Sequence, residues 1–295
     1  MHTFLLLVVA AAGLFLSALA TPVKADDAFS IPNSTSFTLE DSDRSYKVFV
    51  KLPNSYQEND PAQYYPVIYM TDAMYNFQVV SGVTRLPMNM RQMQQAILVG
   101  IDWQEGMSPA ASRIRDYTPI ADKGWKRKTG EAERHLSFIA NKLMPHINKT
   151  YRTIPNQNTL VGHSLGGLFG AYSLLTQPEL FSNYLLSSPS LWFNDKQLMK
   201  QFRSSDFMLK SINANVFIAI GEYETAELTD FGHDMVNDAK EFKAILEQKN
   251  RLSATQGINL KLQVIAEADH SMAFPTAAIQ GLSWFLPQQN RLALH

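Results

Sequence analysis

The sequence predicts an α/β protein with an eight-stranded, mostly parallel sheet and helices on both faces. Three observations carry the prediction. Strand-like runs alternate with helix-like runs along the chain, the pattern of a parallel sheet joined by crossover helices. The inner runs are apolar at successive positions, as in strands buried on both faces. Between one such run and a helix-like run, "TLVGHSLGGLFGAYSLL" (residues 159–175) crowds three glycines around one serine, although glycine is costly inside regular structure.

The first 25 residues stand apart. "FLLLVVAAAGLFLSALA" (residues 4–20) is a continuous apolar run followed by small residues in "ALA" and "VKA", the form of a secretory signal with its cleavage site. Only His2, and no lysine or arginine, precedes the run, and its length also suits an uncleaved membrane anchor. The expectation is a signal at 1–25, a single domain at 26–295 and a periplasmic or secreted protein, with membrane association only if the segment is retained. The absence of cysteine excludes disulfides, thiol catalysis, Cys-based metal sites and a lipid-bearing cysteine. A net charge of −1 gives no reason to expect nucleic acid or an anionic surface as partner.

The elements follow in order. "SFTLE" and "SYKVFVKLP" alternate and carry β-branched residues, an opening pair of strands. "YYPVIYM" and "AILVGID" are the next two. "RHLSFIANKLMPHINKTY" places Leu136, Ile139, Leu143, Ile147 and Tyr151 at helical spacing. "NTLVG", "NYLLSS", "ANVFIAIG" and "INLKLQVIAEADH" complete the strands. "DMVNDAKEFKAILEQKN" is an amphipathic helix between the last two, and "AAIQGLSWFL" closes the chain as a helix.

In this setting the glycines have a reason. Gly162-His163-Ser164-Leu165-Gly166 is a G-x-S-x-G between a buried strand and a helix, the placement of a nucleophile elbow. The turn is too tight for side chains two positions either side of the serine, and Gly167 lets the helix pack closely. The new helix's N-terminus favours negative charge developing beside Ser164.

A serine hydroxyl needs a base, and on this elbow the chain order is Ser, then Asp or Glu, then His. His135 and His146 precede the serine on a helix. His163 adjoins it, with its side chain expected to point away from the hydroxyl in a structural role. His233 sits near a helix start, and His2 and His295 lie near the chain ends. His270 directly follows the last strand and is the candidate base. The acid belongs just past the preceding strand, where "GEYE" offers Glu224, three residues after Gly221, and Glu222 as second choice; Asp230 and Asp269 are more remote readings. Two backbone N–H donors are needed for the oxyanion: Leu165, and Met74 or Ala73 from "YMTDAMYNF".

The run "FIANKLMPHINKTYRTIPNQNTLVGHSLGGLFGAYSLLTQPELFSNYLLSSPSLWF" resembles the esterase D-like family of α/β-hydrolases, and within it the branch of siderophore esterases that cleave enterobactin-type and bacillibactin-type trilactones. "RIRDYTP" (residues 113–119), "SPSLWF" (188–193) and "YPVIYMTDAMYNF" also match, with Ala73 where relatives usually carry glycine. The likeness spans residues 46–286. It implies an α/β-hydrolase fold, Ser164 as nucleophile, His270 as base, a glutamate of "GEYE" as acid, and N–H donors at Leu165 and Met74.

Around this set, Arg113 or Arg115 would hold an anionic substrate, or would pair structurally with Asp116. "DKGWKRKTGE" (residues 122–131) reads as a lid over the substrate or as a solvated loop. Trp192 would wall a pocket or pack in the core. No H-E-x-x-H, calcium loop or phosphate-binding glycine pattern occurs, so neither metal nor nucleotide cofactor is expected. The expected activity is hydrolysis of a small ester through an acyl-enzyme. Acyl transfer to another acceptor, or a binding module that kept the fold, are the alternatives.

Overall fold

Alternation in the opening runs builds a hairpin, β1 (Ser34–Asp41) and β2 (Arg44–Lys51), paired antiparallel from Ser34–Lys51 to Asp41–Arg44. The computed structural model describes residues 30–56, 62–204, 213–229, 232–252 and 257–288; the expected signal, Asp230 and His295 lie outside them. The other strands are β3 (Tyr65–Met70), β4 (Ile97–Gln104), β5 (Thr153–His163), β6 (Asn183–Ser187), β7 (Ala214–Gly221) and β8 (Ile258–Ile265). They form one eight-stranded sheet of order β1-β2-β4-β3-β5-β6-β7-β8. β2 joins β4 antiparallel, and every later pairing is parallel.

The parallel strands all present their C-terminal ends at one edge, where ligands bind in open α/β sheets. The apolar runs of β3, β6 and most of β7 are buried throughout, because helices cover both faces. Against one face pack α1 (Ala73–Asn89) and α8 (Ala273–Phe285), with Phe77, Val80, Phe274 and Leu282 meeting Ile68, Val161 and Phe217. The other face carries α2 (Pro109–Tyr117), α3 (Ala132–Phe138), α4 (Met144–Thr150), α5 (Leu165–Thr176), α6 (Phe193–Arg203) and α7 (Met235–Leu252). Each fully buried Leu, Ile, Val or Phe contributes about 1.5–3 kcal/mol, so the strand ends that bear the site stand on a rigid platform.

The expected helix over residues 134–151 is α3 and α4 joined by a π-turn at Ile139–Leu143. Pro145 follows the π-turn directly inside this continuous helical run; it has no N–H to donate, and the widened turn before it is where such an interruption falls. The stretch after β3, where the sequence predicts the second N–H donor but no helix, is the start of the 17-residue α1. Its buried face is Ala73, Asn76, Phe77, Val80, Ser81, Thr84 and Met88. That mix of small, polar and apolar side chains, with Pro87 near the end, hides the apolar period. Among the described residues no helix is long and apolar enough to cross a membrane.

Candidate active site

β5 runs buried through Thr159–Val161 and ends at His163; α5 begins at Leu165. Ser164 lies between them at φ 60°, ψ −121°, a backbone conformation that costs a non-glycine residue on the order of 1–3 kcal/mol. The glycines leave the room this turn requires. A Cβ on Gly162 would run into the Gly166 carbonyl, and one on Gly166 into Thr71 Oγ1. The turn is tied to its neighbours: Ser164 N donates to Ser187 O at 3.0 Å, and Ser164 O accepts from Leu168 N at 3.0 Å and Ser190 N at 3.1 Å. The serine hydroxyl faces Ser190 Oγ at 3.4 Å.

The contact of Gly166 with Thr71 brings the N-terminus of α1 beside that of α5. Asp72, the N-cap of α1, is left-handed at φ 52° and lines a cavity with Ser164. Leu165 and Ala73 are the first residues of the two helices, and the side chain of Met74 is half-exposed. Two positive helix ends therefore converge next to the serine.

β7 ends at Gly221, which the loop after β8 approaches so closely that a Cβ there would strike Ala268 O. Three residues on, Glu224 is fully buried. Its Oε1 accepts from Gly221 N at 2.8 Å and Ser188 Oγ at 2.6 Å. Its Oε2 faces His270 Nδ1 at 2.6 Å. An Nδ1–H donated to the carboxylate leaves Nε2 as an acceptor. Glu222 is not part of this pair: it is exposed, and its Oε2 accepts from Glu267 N at 2.9 Å. Asp269 is spent on the turn into α8, accepting from Ser271 N and Met272 N.

His163 departs from the sequence expectation. Its ring packs 4.7 Å from that of His270, its Nδ1 lies 3.1 Å from Ser187 Oγ, and it lines the same cavity as Ser164. Burial, followed by the neighbouring His270 and Arg113, pushes its pKa down to about 3, so it is a neutral neighbour at any ordinary pH.

Ser164 and His270 stand where two cavities meet. One, of 570 Å³, is walled by Tyr75, Trp103, Arg113 and Phe274. The other, of 650 Å³, is walled by Trp125, Trp192, Tyr223, Leu228 and His233. Trp192 stacks on His233 at 4.1 Å and 10°, and lies nearly parallel to Trp125 at 6.3 Å and 11°. Trp125 comes from the 122–131 loop, which thereby contributes a wall to the site.

The two arginines of "RIRDYTP" part company. On α2 they are two residues apart and face different ways. Arg113 lines the first cavity, but its guanidinium is held by Asp72, Nε to Oδ1 at 3.0 Å and Nη2 to Oδ2 at 3.2 Å; Trp103 Nε1 shares that carboxylate at 2.6 Å. Arg115 is not in the cleft, which corrects its candidacy. It is buried against Asp116, Nε to Oδ1 and Nη2 to Oδ2 both at 2.8 Å, in a network with Arg44, Tyr46 and Glu131. Among the described residues no group of three His, Asp or Glu side chains is placed to hold a metal ion. Sequence reasoning missed Ser188 and His233 as parts of the site; Trp125 lies in the 122–131 loop, for which the sequence left lid and solvated loop open.

Comparison with known proteins agrees with this architecture. The chain is 27% identical over 277 residues to the ferri-bacillibactin esterase BesA of Bacillus subtilis (strain 168), covering 88% of this chain and 92% of that protein. It is 25% identical over 282 residues to the siderophore triacetylfusarinine C esterase of Aspergillus fumigatus, covering 86% and 94%. The crystal structure of the BES protein from Bacillus cereus superposes with a TM-score of 0.77 at 27% identity, over 90% of this chain and 99% of that one. The family model described as "Putative esterase" matches residues 40–272. The chain therefore belongs to that family, and it is a carboxylic-ester hydrolase with the α/β-hydrolase fold.

Proposed function

We propose that the protein is a serine esterase acting through Ser164, His270 and Glu224, and that its substrates are small esters of the siderophore type. The observation that carries the reading is the buried Glu224 Oε2 held 2.6 Å from His270 Nδ1, beside a serine in a strained strand-to-helix turn that lines the same two cavities. His270 Nε2 takes the Ser164 proton as the hydroxyl attacks the ester carbonyl. It then returns that proton to the leaving alcohol. Glu224 orients the imidazole and stabilises the imidazolium. The N–H groups of Leu165 and Met74, at the two converging helix ends, receive the oxyanion. Water activated by His270 then releases the acid.

The aromatic cavity suits the planar rings of a catecholate ester, and two of the relatives named above are esterases of siderophores. The test compares the protein with Ser164→Ala on short- and long-chain nitrophenyl esters and on a catecholate trilactone. Turnover by the parent and loss of it in the variant, by about a million-fold where a background rate can be measured, is the expected result. Turnover that survives the substitution removes Ser164 from the mechanism.

A further inference from the structure

Residues 187–190, "SSPS", join β6 to α6 and touch both the elbow and the proposed acid. Ser187 O holds Ser164 N, Ser190 N holds Ser164 O, and Ser188 Oγ donates to Glu224 Oε1 at 2.6 Å. Ser188 is fully buried, and its N–H is committed to Ala219 O at 2.7 Å. Its φ is 42°, in the left-handed region that disfavours every residue with a Cβ. Glycine would take this conformation freely. What serine adds over glycine is one hydroxymethyl group, and its hydroxyl is bonded to Glu224.

The bond matters because of where Glu224 sits. Its carboxyl is out of water, with Oε1 fixed by Gly221 N and Ser188 Oγ and Oε2 directed at His270 Nδ1. Two donors on one oxygen, arriving from β7 and from the β6–α6 connection, stop the carboxylate from swinging about its last bond. Oε2 then stays in line with the imidazole. When His270 becomes charged during attack, a carboxylate already locked in place needs no reorganisation.

We propose that Ser188 is a positioning residue for the acid: its hydroxyl locks Glu224 so that Oε2 stays on His270 Nδ1–H, from a left-handed backbone that glycine could occupy but could not use. The inference rests on the Ser164–His270–Glu224 reading. It adds a fourth side chain to that set, from a segment that contains neither acid, base nor nucleophile.

Ser188→Gly is the decisive variant, because it removes the hydroxyl while suiting the backbone. Ser188→Ala removes the same hydroxyl and keeps the strain. Steady-state kinetics on the parent's best ester, thermal unfolding, and the downfield proton resonance of His270 Nδ1–H are measured for all three proteins. The expected result for Ser188→Gly is a kcat lower by about 10- to 100-fold, the loss of one hydrogen bond to a charged group. KM should be unchanged, the unfolding midpoint higher than that of Ser188→Ala, which keeps the backbone strain, and the Nδ1–H resonance shifted or broadened. Equal kcat losses in Gly and Ala, despite a lower midpoint in Ala, assign the effect to the hydroxyl rather than to folding. Parent-like kcat in Ser188→Gly overturns the proposal, as does a kcat loss with an unmoved resonance. If the parent turns over no ester, the esterase mechanism fails separately. The resonance then decides alone: unmoved in Ser188→Gly, it overturns the role of Ser188; moved, it upholds it.

Discussion

Glu224 and Glu222 lie two residues apart in "GEYE", and their surroundings make them different in kind. Glu224 turns inward at the end of β7, loses all contact with water and meets His270. Glu222 stays exposed and caps Glu267 N. Replacing Glu224 by Gln keeps the shape but offers an amide where the imidazole needs an acceptor, favouring the wrong tautomer. Glu224→Gln is therefore expected to lower kcat by about 1,000- to 10,000-fold, and Glu222→Gln by no more than roughly twofold, as for other surface positions. Comparable losses in the two variants, measured on one ester under one set of conditions, would contradict the pairing seen here. The spacing from Gly221 already favoured Glu224 in the sequence. The inward turn did not follow from composition, because two glutamates flanking a tyrosine look alike until the loop after β8 is laid against the end of β7.

At the scale of elements, the loop of residues 122–131 is the part whose role the sequence left most open. It carries Lys123, Lys126, Arg127 and Lys128 around Trp125, as a solvated loop would. The structure anchors it at both ends. Asp122 N donates to Thr129 Oγ1 at 2.7 Å, Gly130 N to Thr118 Oγ1 at 2.7 Å, and Lys128 pairs with Glu131. Between these ties Trp125 packs on Phe193 and, with Trp192, walls the larger cavity. If this wall receives flat rings, Trp125→Ala should raise KM for aryl-acyl esters by about 2- to 10-fold, the worth of one aromatic contact, and leave short alkyl esters unaffected. The same change in KM for both ester types would show that the tryptophan supports the fold and not the ligand. Helix α1 makes the complementary point. Its Asn76, Ser81 and Thr84 are buried, so the apolar period that reveals α7 in the sequence is absent from α1.

For the whole molecule, the buried histidines set how stability answers to pH. His135 is nearly inaccessible, caged by the rings of Tyr46, Tyr117, Phe138 and Phe169, and neither ring nitrogen has a hydrogen-bond partner. Burial lowers its pKa, with Asp116 pulling the other way; His163 is lowered to about 3. A histidine whose folded pKa lies below the unfolded value of about 6.5 takes up its proton first in the unfolded chain. Its contribution is fully present above that pH and is lost as pH falls below it, at up to about 1.4 kcal/mol per pH unit for each ring that stays neutral. Burial raises Asp116 and Glu131, but His135, Arg115 and Ser112 around Asp116, and Lys128 and Arg44 beside Glu131, bring both below the usual carboxylate range, so both add to the loss in the acid range. Asp102 and Asp238, raised by burial, oppose it. Urea midpoints should therefore decline from pH 7 to pH 5, and His135→Leu should flatten that decline by about one titrating group. An unchanged slope in the variant would remove His135 as a cause.

Much of this protein was determined by its sequence alone. All eight strands, the elbow serine, the histidine after the last strand and the family resemblance rest on local signals: apolar runs, glycine spacing and chain order. These are legible because each is imposed within a few residues by backbone sterics and burial. Tertiary structure decided the rest. It held Arg113 against Asp72 beyond the end of β3, set His163 against His270, drew Trp125 into the cavity and placed Ser188 on Glu224. Each of these depends on which strand end lies beside which, and that is settled by the order and twist of the sheet, a long-range property that no stretch of the chain carries by itself.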